Sequence, residues 1–344
     1  MSMDSIVVGV IGPYKSGKTS LVNKLQQRKG IEEDVAFYFF KYAGKNVTLV
    51  DTPGDMDAPT TVASVISISD ACILCISPET KINFQVGEQL ILMDNLGIRK
   101  GLICITKSDL STPEDVEQLK ENIKKVISTT SLKDIEIVDV NINDEQKIAD
   151  MRAKIAAIEY DKSKTSGPIK LAVDHAFESK GMSIAVGTMM SGRISVHSDG
   201  IIVPTPFTKE ISINSIQINQ EDVQSAEAGD RVGVAIKGVW PWDLPRGVEI
   251  REKGKYRDIN SGRMKINVNP LYKFDLKDGM KLDMVCNWQT SVIKVSNVKK
   301  EGTVIETDFT SEKNFAFDDK DRILIINKDL PIRVLRVVGT ASVI

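Results

Sequence analysis

The apolar run Ile6-Val7-Val8-Gly9-Val10-Ile11 has no polar face and reads as a buried strand, and Ser20-Leu21-Val22-Asn23-Lys24-Leu25 reads as the opening of a helix. Similar short apolar runs follow at 46–50, 70–77 and 101–105, while 113–120 and 145–158 carry a helical pattern. This alternation is the βαβ rhythm of a mostly parallel sheet with flanking helices. The texture changes over Tyr160-Asp161-Lys162-Ser163-Lys164-Thr165-Ser166-Gly167-Pro168, a polar stretch closed by Gly-Pro that reads as a linker. Beyond it, short alternating segments are punctuated by Gly181, Gly187, Gly192, Gly200, Gly229 and Gly238, the spacing of a β-barrel, and a second break over 254–262 precedes another run of short strands. The pattern predicts an α/β domain over 1–166 and two β-barrel domains over 167–252 and 253–344.

Between the first strand and the first helix stands Gly12-Pro13-Tyr14-Lys15-Ser16-Gly17-Lys18-Thr19, a complete G-x-x-x-x-G-K-[ST] phosphate loop, followed by Ser20. Its glycines let backbone N–H groups curl around a β-phosphate, Lys18 neutralises β- and γ-oxygens, and the Thr19 hydroxyl ligates magnesium. After 46–50 comes Asp51-Thr52-Pro53-Gly54, whose Asp holds magnesium through a water and whose Gly54 N–H reaches a γ-phosphate and reports its loss. After 101–105 comes Thr106-Lys107-Ser108-Asp109, a [NT]-K-x-D element. Its carboxylate accepts two hydrogen bonds from the N1–H and amine of guanine while the Lys107 stem covers the ring; adenine leaves Asp109 unpaired. Taken alone, the tetrapeptide also suits a helix N-cap. Together the three elements predict a domain for GTP or GDP with Mg2+.

A chain of 344 residues with 42% hydrophobic content needs more than one core. No run of eighteen apolar residues occurs and Met1-Ser2-Met3-Asp4-Ser5 lacks a basic leader region, so the expectation is a cytoplasmic protein with no membrane partner. A net charge of −2 argues against indiscriminate nucleic-acid binding; no DNA partner is expected, and the basic excess of 251–344 makes any RNA contact local. The pair Cys72-Ile73-Leu74-Cys75 lies in an apolar run with no second pair to complete a metal site, and is read as structural.

The stretch Val173-Asp174-His175-Ala176-Phe177-Glu178-Ser179-Lys180-Gly181, with Val186-Gly187-Thr188, Ser191-Gly192, Ser215-Ile216-Gln217, Ala228-Gly229-Asp230-Arg231-Val232-Gly233 and Arg246-Gly247, resembles the second domain of translational GTPases of the EF-Tu and SelB type. The ending Arg333-Val334-Leu335-Arg336-Val337-Val338-Gly339-Thr340 resembles the closing strand of their third domain. The resemblance is strongest to the SelB branch, which usually carries a further C-terminal domain that reads a messenger RNA element or supports decoding; with the chain stopping at Ile344, that domain is expected to be absent. The family implies delivery of an aminoacyl-tRNA to the ribosome, with the aminoacyl end held between the first two domains.

Four departures from that pattern qualify the expectation. Lys15 stands where the family has an Asp that helps hold a monovalent cation, so its ammonium either replaces the cation or faces solvent. The long first switch is mostly missing: Glu32 stands at the magnesium-ligating Thr, either as a substitute anion or as the start of a strand leading to Val35-Ala36-Phe37-Tyr38-Phe39. The family D-x-P-G-H becomes Asp51-Thr52-Pro53-Gly54-Asp55, which puts Asp55 at the position of the water-orienting His, and no histidine occurs in the first 165 residues. The S-A-[KL] loop behind guanine becomes Val138-Asp139-Val140-Asn141-Ile142, with Asn141 as the backbone contact. Two readings follow: a SelB-like elongation factor with weakened or atypical GTP hydrolysis, or a GTP-binding translation regulator or scaffold with little turnover. Trp240, Trp242 and Arg246 are candidates for tRNA contact, the tryptophans sitting around Pro241 and Pro245, which argue against a helix there; the alternative is that both rings pack over the barrel end.

Overall fold

A computed structural model describes residues 4–32 and 34–344. The chain divides into two compact units: one runs to Tyr160 and includes Leu330–Val337, the other comprises Asp161–Asp329 with Val338–Ile344.

In chain order the first unit contains β1 (Ser5–Ile11), α1 (Lys18–Leu25), β2 (Arg28–Glu32), β3 (Ala36–Tyr42), β4 (Lys45–Asp51), α2 (Pro59–Ser67), β5 (Ala71–Ile76), α3 (Phe84–Asn95), β6 (Gly101–Ile105), α4 (Pro113–Ile127), β7 (Glu136–Asp139) and α5 (Glu145–Ala157). The strands form one sheet in the order β2-β3-β4-β1-β5-β6-β7. Strands β4, β1, β5, β6 and β7 run parallel, and β2 and β3 add an antiparallel edge. Every residue of β1 and β5 is buried, as expected for parallel strands covered on both faces. Alternate residues share the pleat: Ile6, Val8 and Val10 join Ile73 and Cys75 in a cluster with Leu21, Val22 and Leu25 of α1 and Ile148, Met151 and Ile155 of α5. Each such side chain contributes about 1.5–3 kcal/mol on burial. Cys72 and Cys75 both lie within buried β5, as a structural role requires.

The register sets Val10 beside Asp51, Ile11 beside Leu74, Ile76 beside Ile105, and Ile105 beside Asp139. The carboxyl ends of five parallel strands therefore form one ledge, where open α/β sheets bind ligands. The N-cap of α4 is Thr112, whose hydroxyl accepts from Asp115 N at 3.2 Å, so capping does not explain Asp109. Glu32 ends β2 and pairs with Ala36 at the start of β3, which gives this segment a hairpin in place of a long switch. Glu33 and the Glu32 side chain lie outside the described residues.

The second unit is built from strands and short 3-10 turns among its described residues. Its first part is a seven-stranded sheet in which Asp199–Val203 pairs with both Glu249–Arg251 and Lys209–Ile218, closing the sheet around Leu171, Val173, Ile202, Ile216, Val234 and Ile250. Its second part is a closed barrel whose strands run from Arg257–Val268 to Val337–Val343. Met264, Ile266, Leu282, Met284, Ile293, Val295 and Phe309 are buried there, following the period of two that strands impose.

Candidate functional site

Gly17 caps α1 in the left-handed conformation (φ 83°) and offers no side-chain acceptor to the first turn, leaving that turn's N–H groups for an anion. The Lys18 ammonium is buried and donates to Gly12 O at 2.8 Å and Pro13 O at 3.0 Å. Burial pushes it below the usual lysine range, opposed by Cys75, Asp51 and Asp55. The Thr19 hydroxyl donates to Asp51 Oδ2 at 2.7 Å. Burial pushes the Asp51 carboxyl up, against the pull of Thr19 and Lys18. Asp51 Oδ1 and Ser16 Oγ are buried without a hydrogen-bond partner among the described residues. A hydroxyl, a carboxylate oxygen lacking a partner and a buried ammonium on one rim form a donor set that fits a hard divalent cation with phosphate oxygens.

A cleft of about 500 Å3 opens here, lined by residues 14–20, Asp34, Ala36, Tyr38, 51–54 and Lys107. Gly54 approaches so closely that a Cβ on it would lie 2.9 Å from Tyr14 Cα and 3.0 Å from Lys18 Nζ. Asp55 is exposed, and no imidazole stands near it within its unit, since the two histidines of the chain, His175 and His197, belong to the second unit. Lys15 is also exposed, in the left-handed region (φ 63°), with its Nζ 5.5 Å from the centroid of the Tyr14 ring.

At the other end, Thr106 is buried and its hydroxyl donates to Ser16 O at 2.5 Å, so it braces the phosphate loop rather than lining the cleft. Lys107 adopts φ 54° and its ammonium meets Glu79 Oε2 at 2.8 Å, which holds the stem out along the cleft wall. Asp109, exposed in the 3-10 turn Ser108–Leu110, accepts from Asn143 Nδ2 at 3.3 Å. The Asn141 side chain instead accepts from Asn143 N at 2.8 Å and shapes its own turn. Asn143, which the sequence reading did not single out, is the residue whose side chain reaches Asp109, and Glu79, which reaches Lys107, was also missed. The signal for Glu79 was the turn after β5, Ser77-Pro78-Glu79-Thr80, opposite the T-K-S-D turn in the sheet order.

In the second unit, Trp240 and Trp242 are 54% and 67% exposed and stack on each other, centroids 4.9 Å apart at 10°. Of the two readings left open for them, packing of both rings over the barrel end does not fit this exposure. The structure also corrects the exclusion of helix by the prolines: Pro241–Asp243 is a 3-10 turn, since a proline at the first position loses no N–H bond, and Asp243 Oδ2 accepts from Trp240 N at 3.0 Å. Arg246 is half-buried, its guanidinium 5.4 Å from the Trp288 ring centroid.

A parallel sheet with a phosphate loop after its central strand and a T-K-S-D turn two strands away, followed by two β-barrels, defines a multidomain P-loop nucleotide-binding protein. Residues 23–303 match the elongation factor Tu GTP-binding domain family, and the chain belongs to that family. It is 29% identical to a selenocysteine-specific elongation factor of Methanocaldococcus jannaschii, over all of this chain and 80% of that protein. An uncharacterised protein of the same organism is 27% identical over 97% of this chain and 99% of its own length. The crystal structure of translation elongation factor SelB from Methanococcus maripaludis with the GTP analogue GppNHp superposes with a TM-score of 0.87 at 26% identity, covering 100% of this chain and 79% of that one. The chain is accordingly a translational GTPase of the SelB and EF-Tu type. No helix among the described residues is long and apolar enough to cross a membrane.

Proposed function

We propose that the chain is a guanine-nucleotide-dependent elongation factor that carries an aminoacyl-tRNA to the ribosome and turns over GTP slowly. The observation that carries the nucleotide reading is the rim formed by Lys18, Thr19 and Asp51, with an Asp51 Oδ1 that no described residue satisfies. Thr19 would hold magnesium directly and Asp51 through a water, and magnesium, when bound, would neutralise phosphate charge. Lys18 and the first-turn N–H groups of α1 grip the β- and γ-phosphates. Asp109, steadied by Asn143, accepts from the guanine edge, and Lys107, steadied by Glu79, covers the ring. The stacked, exposed Trp240 and Trp242 supply a platform for an unpaired tRNA base.

Slow turnover follows from Asp55: a carboxylate cannot orient water as an imidazole does, and one such positioning interaction is worth about 3 kcal/mol, roughly a hundredfold in rate. The same exposed Asp55 favours a second reading, a GTP-binding translation regulator or scaffold with negligible hydrolysis.

Calorimetry with GDP, GTP and ATP tests the nucleotide reading, with guanine nucleotides expected at least about a hundredfold tighter than ATP. Equal affinities reject it. A turnover assay with and without ribosomes separates the two functional readings, and robust ribosome-stimulated hydrolysis by the unmodified chain counts against both. Asp55→His is expected to raise the rate only in part.

A further inference from the structure

Helix α3 presents Gln85 and Glu88 one turn apart, both buried. Gln85 Nε2 donates to Gly54 O at 2.9 Å. Glu88 receives the guanidinium of Arg336, Nη2 to Oε2 at 2.7 Å and Nε to Oε1 at 3.2 Å, and the same Nη2 donates to Met56 O at 2.7 Å. Both partners of this ion pair are only 5% exposed. All these residues belong to the first unit, which Arg336 joins through the segment Leu330–Val337. The carbonyls on either side of Asp55 are therefore tethered, one by a buried amide and one by a buried guanidinium, while Asp55 itself points to solvent. At the same place Gly54 stands against Tyr14 and Lys18 with no room for a Cβ. A buried ion pair is a weak source of net stability, but it fixes geometry, and here the geometry it fixes is that of the loop after Asp51-Thr52-Pro53.

Resting on the guanine-nucleotide reading, we propose that Gln85, Glu88 and Arg336 are positioning residues that hold Gly54-Asp55-Met56 closed on the phosphate loop, ready for a γ-phosphate. The relative affinity of this chain for GTP and GDP is then set by the tether. GDP is gripped by Lys18 and the phosphate loop and makes no demand on Gly54, so loosening the tether spares it. A GTP analogue has to draw on the closed population, which shrinks when the tether is cut.

The test is a fluorescent-nucleotide titration of the full chain with GDP and with a non-hydrolysable GTP analogue, each variant being checked by thermal melting. Gln85→Leu frees the Gly54 carbonyl without touching the ion pair. Arg336→Met combined with Glu88→Met frees Met56 and removes both charges, because Arg336→Met alone leaves Glu88 buried without its counter-charge. In each, analogue affinity is expected to fall about tenfold while GDP affinity stays within about twofold. If the double variant does not fold, Gln85→Leu decides alone. Parallel changes for both nucleotides, or no change for either, overturn the proposal while leaving the nucleotide reading intact. Failure of the parent chain to bind either guanine nucleotide removes both together.

Discussion

At the scale of single residues, the proposed base selection rests on one exposed carboxylate. Asp109 sits in the middle of the turn Ser108–Leu110, with Asn143 Nδ2 3.3 Å away, so its proposed worth lies in the polarity of the two acceptors it offers. Asp109→Asn converts one acceptor to a donor and matches the edge of xanthine. Titration with GTP and XTP is expected to show GTP weakened by several kcal/mol in order of magnitude and XTP strengthened. An unchanged GTP preference would place base recognition elsewhere. Asp109, Lys18 and Thr19 could be proposed from the sequence because their motifs are written within a few residues. Asn143, Glu79 and Arg336 were not: each acts through a partner brought near by the sheet or by a distant segment, 248 residues away for Arg336 and Glu88.

Elements explain why the motifs work. The sheet order places the phosphate loop, the Asp51 turn and the T-K-S-D turn on one ledge because parallel strands joined by helices must all point the same way. The hairpin of β2 and β3 gives an edge where a long switch was expected to be lacking. In the second unit, the Pro241–Asp243 turn presents the two tryptophans from a stiff segment. Since both rings are more than half exposed, Trp240→Ala and Trp242→Ala, made separately, are expected to cost no more than about 1 kcal/mol of stability. Each is expected to weaken aminoacyl-tRNA binding in the GTP state by about 1–3 kcal/mol, measured by filter binding. A large fall in melting temperature with unchanged affinity would assign the pair to packing.

For the molecule as a whole, the second unit is joined by an ionic cluster that neither barrel completes alone. Lys170, Glu249 and Arg251 come from the first barrel, and Asp318 and Asp321 from the second. Arg251 reaches Glu249 at 2.5 Å, Asp318 at 3.1 Å and Asp321 at 2.7 Å, and Lys170 reaches Asp321 at 2.7 Å. Burial pushes the Asp321 carboxyl up, but Lys170 and Arg251 outweigh it and hold it at about 2. Burial raises Glu249 as well, and there it outweighs the pull of Arg251, so that carboxyl ends above its usual range. A depressed carboxylate stabilises the fold above its unfolded pKa and loses that contribution as pH falls through the folded value. The Asp321 contribution is therefore present at pH 7 and fades between about pH 4 and 2. Asp321→Asn leaves Lys170 and Arg251 under-compensated and is expected to cost about 3–5 kcal/mol at pH 7. Urea unfolding across that pH window checks this, with the gap between parent and variant closing towards pH 2.

By itself the sequence determined the phosphate loop, the T-K-S-D turn, the α/β rhythm and the change to barrel-forming strands, because each is written in local spacing: period two or 3.6 for burial, glycine at a tight turn, a carboxylate beside a strand end. Tertiary structure alone decided which asparagine faces Asp109, that the tryptophans stack in solvent, that Gln85 and Arg336 tether the loop after Asp51, and that two barrels share one buried ionic cluster. These depend on side chains far apart in the chain, whose meeting is set by sheet order and barrel closure. No local pattern of polarity encodes the partner of a buried charge.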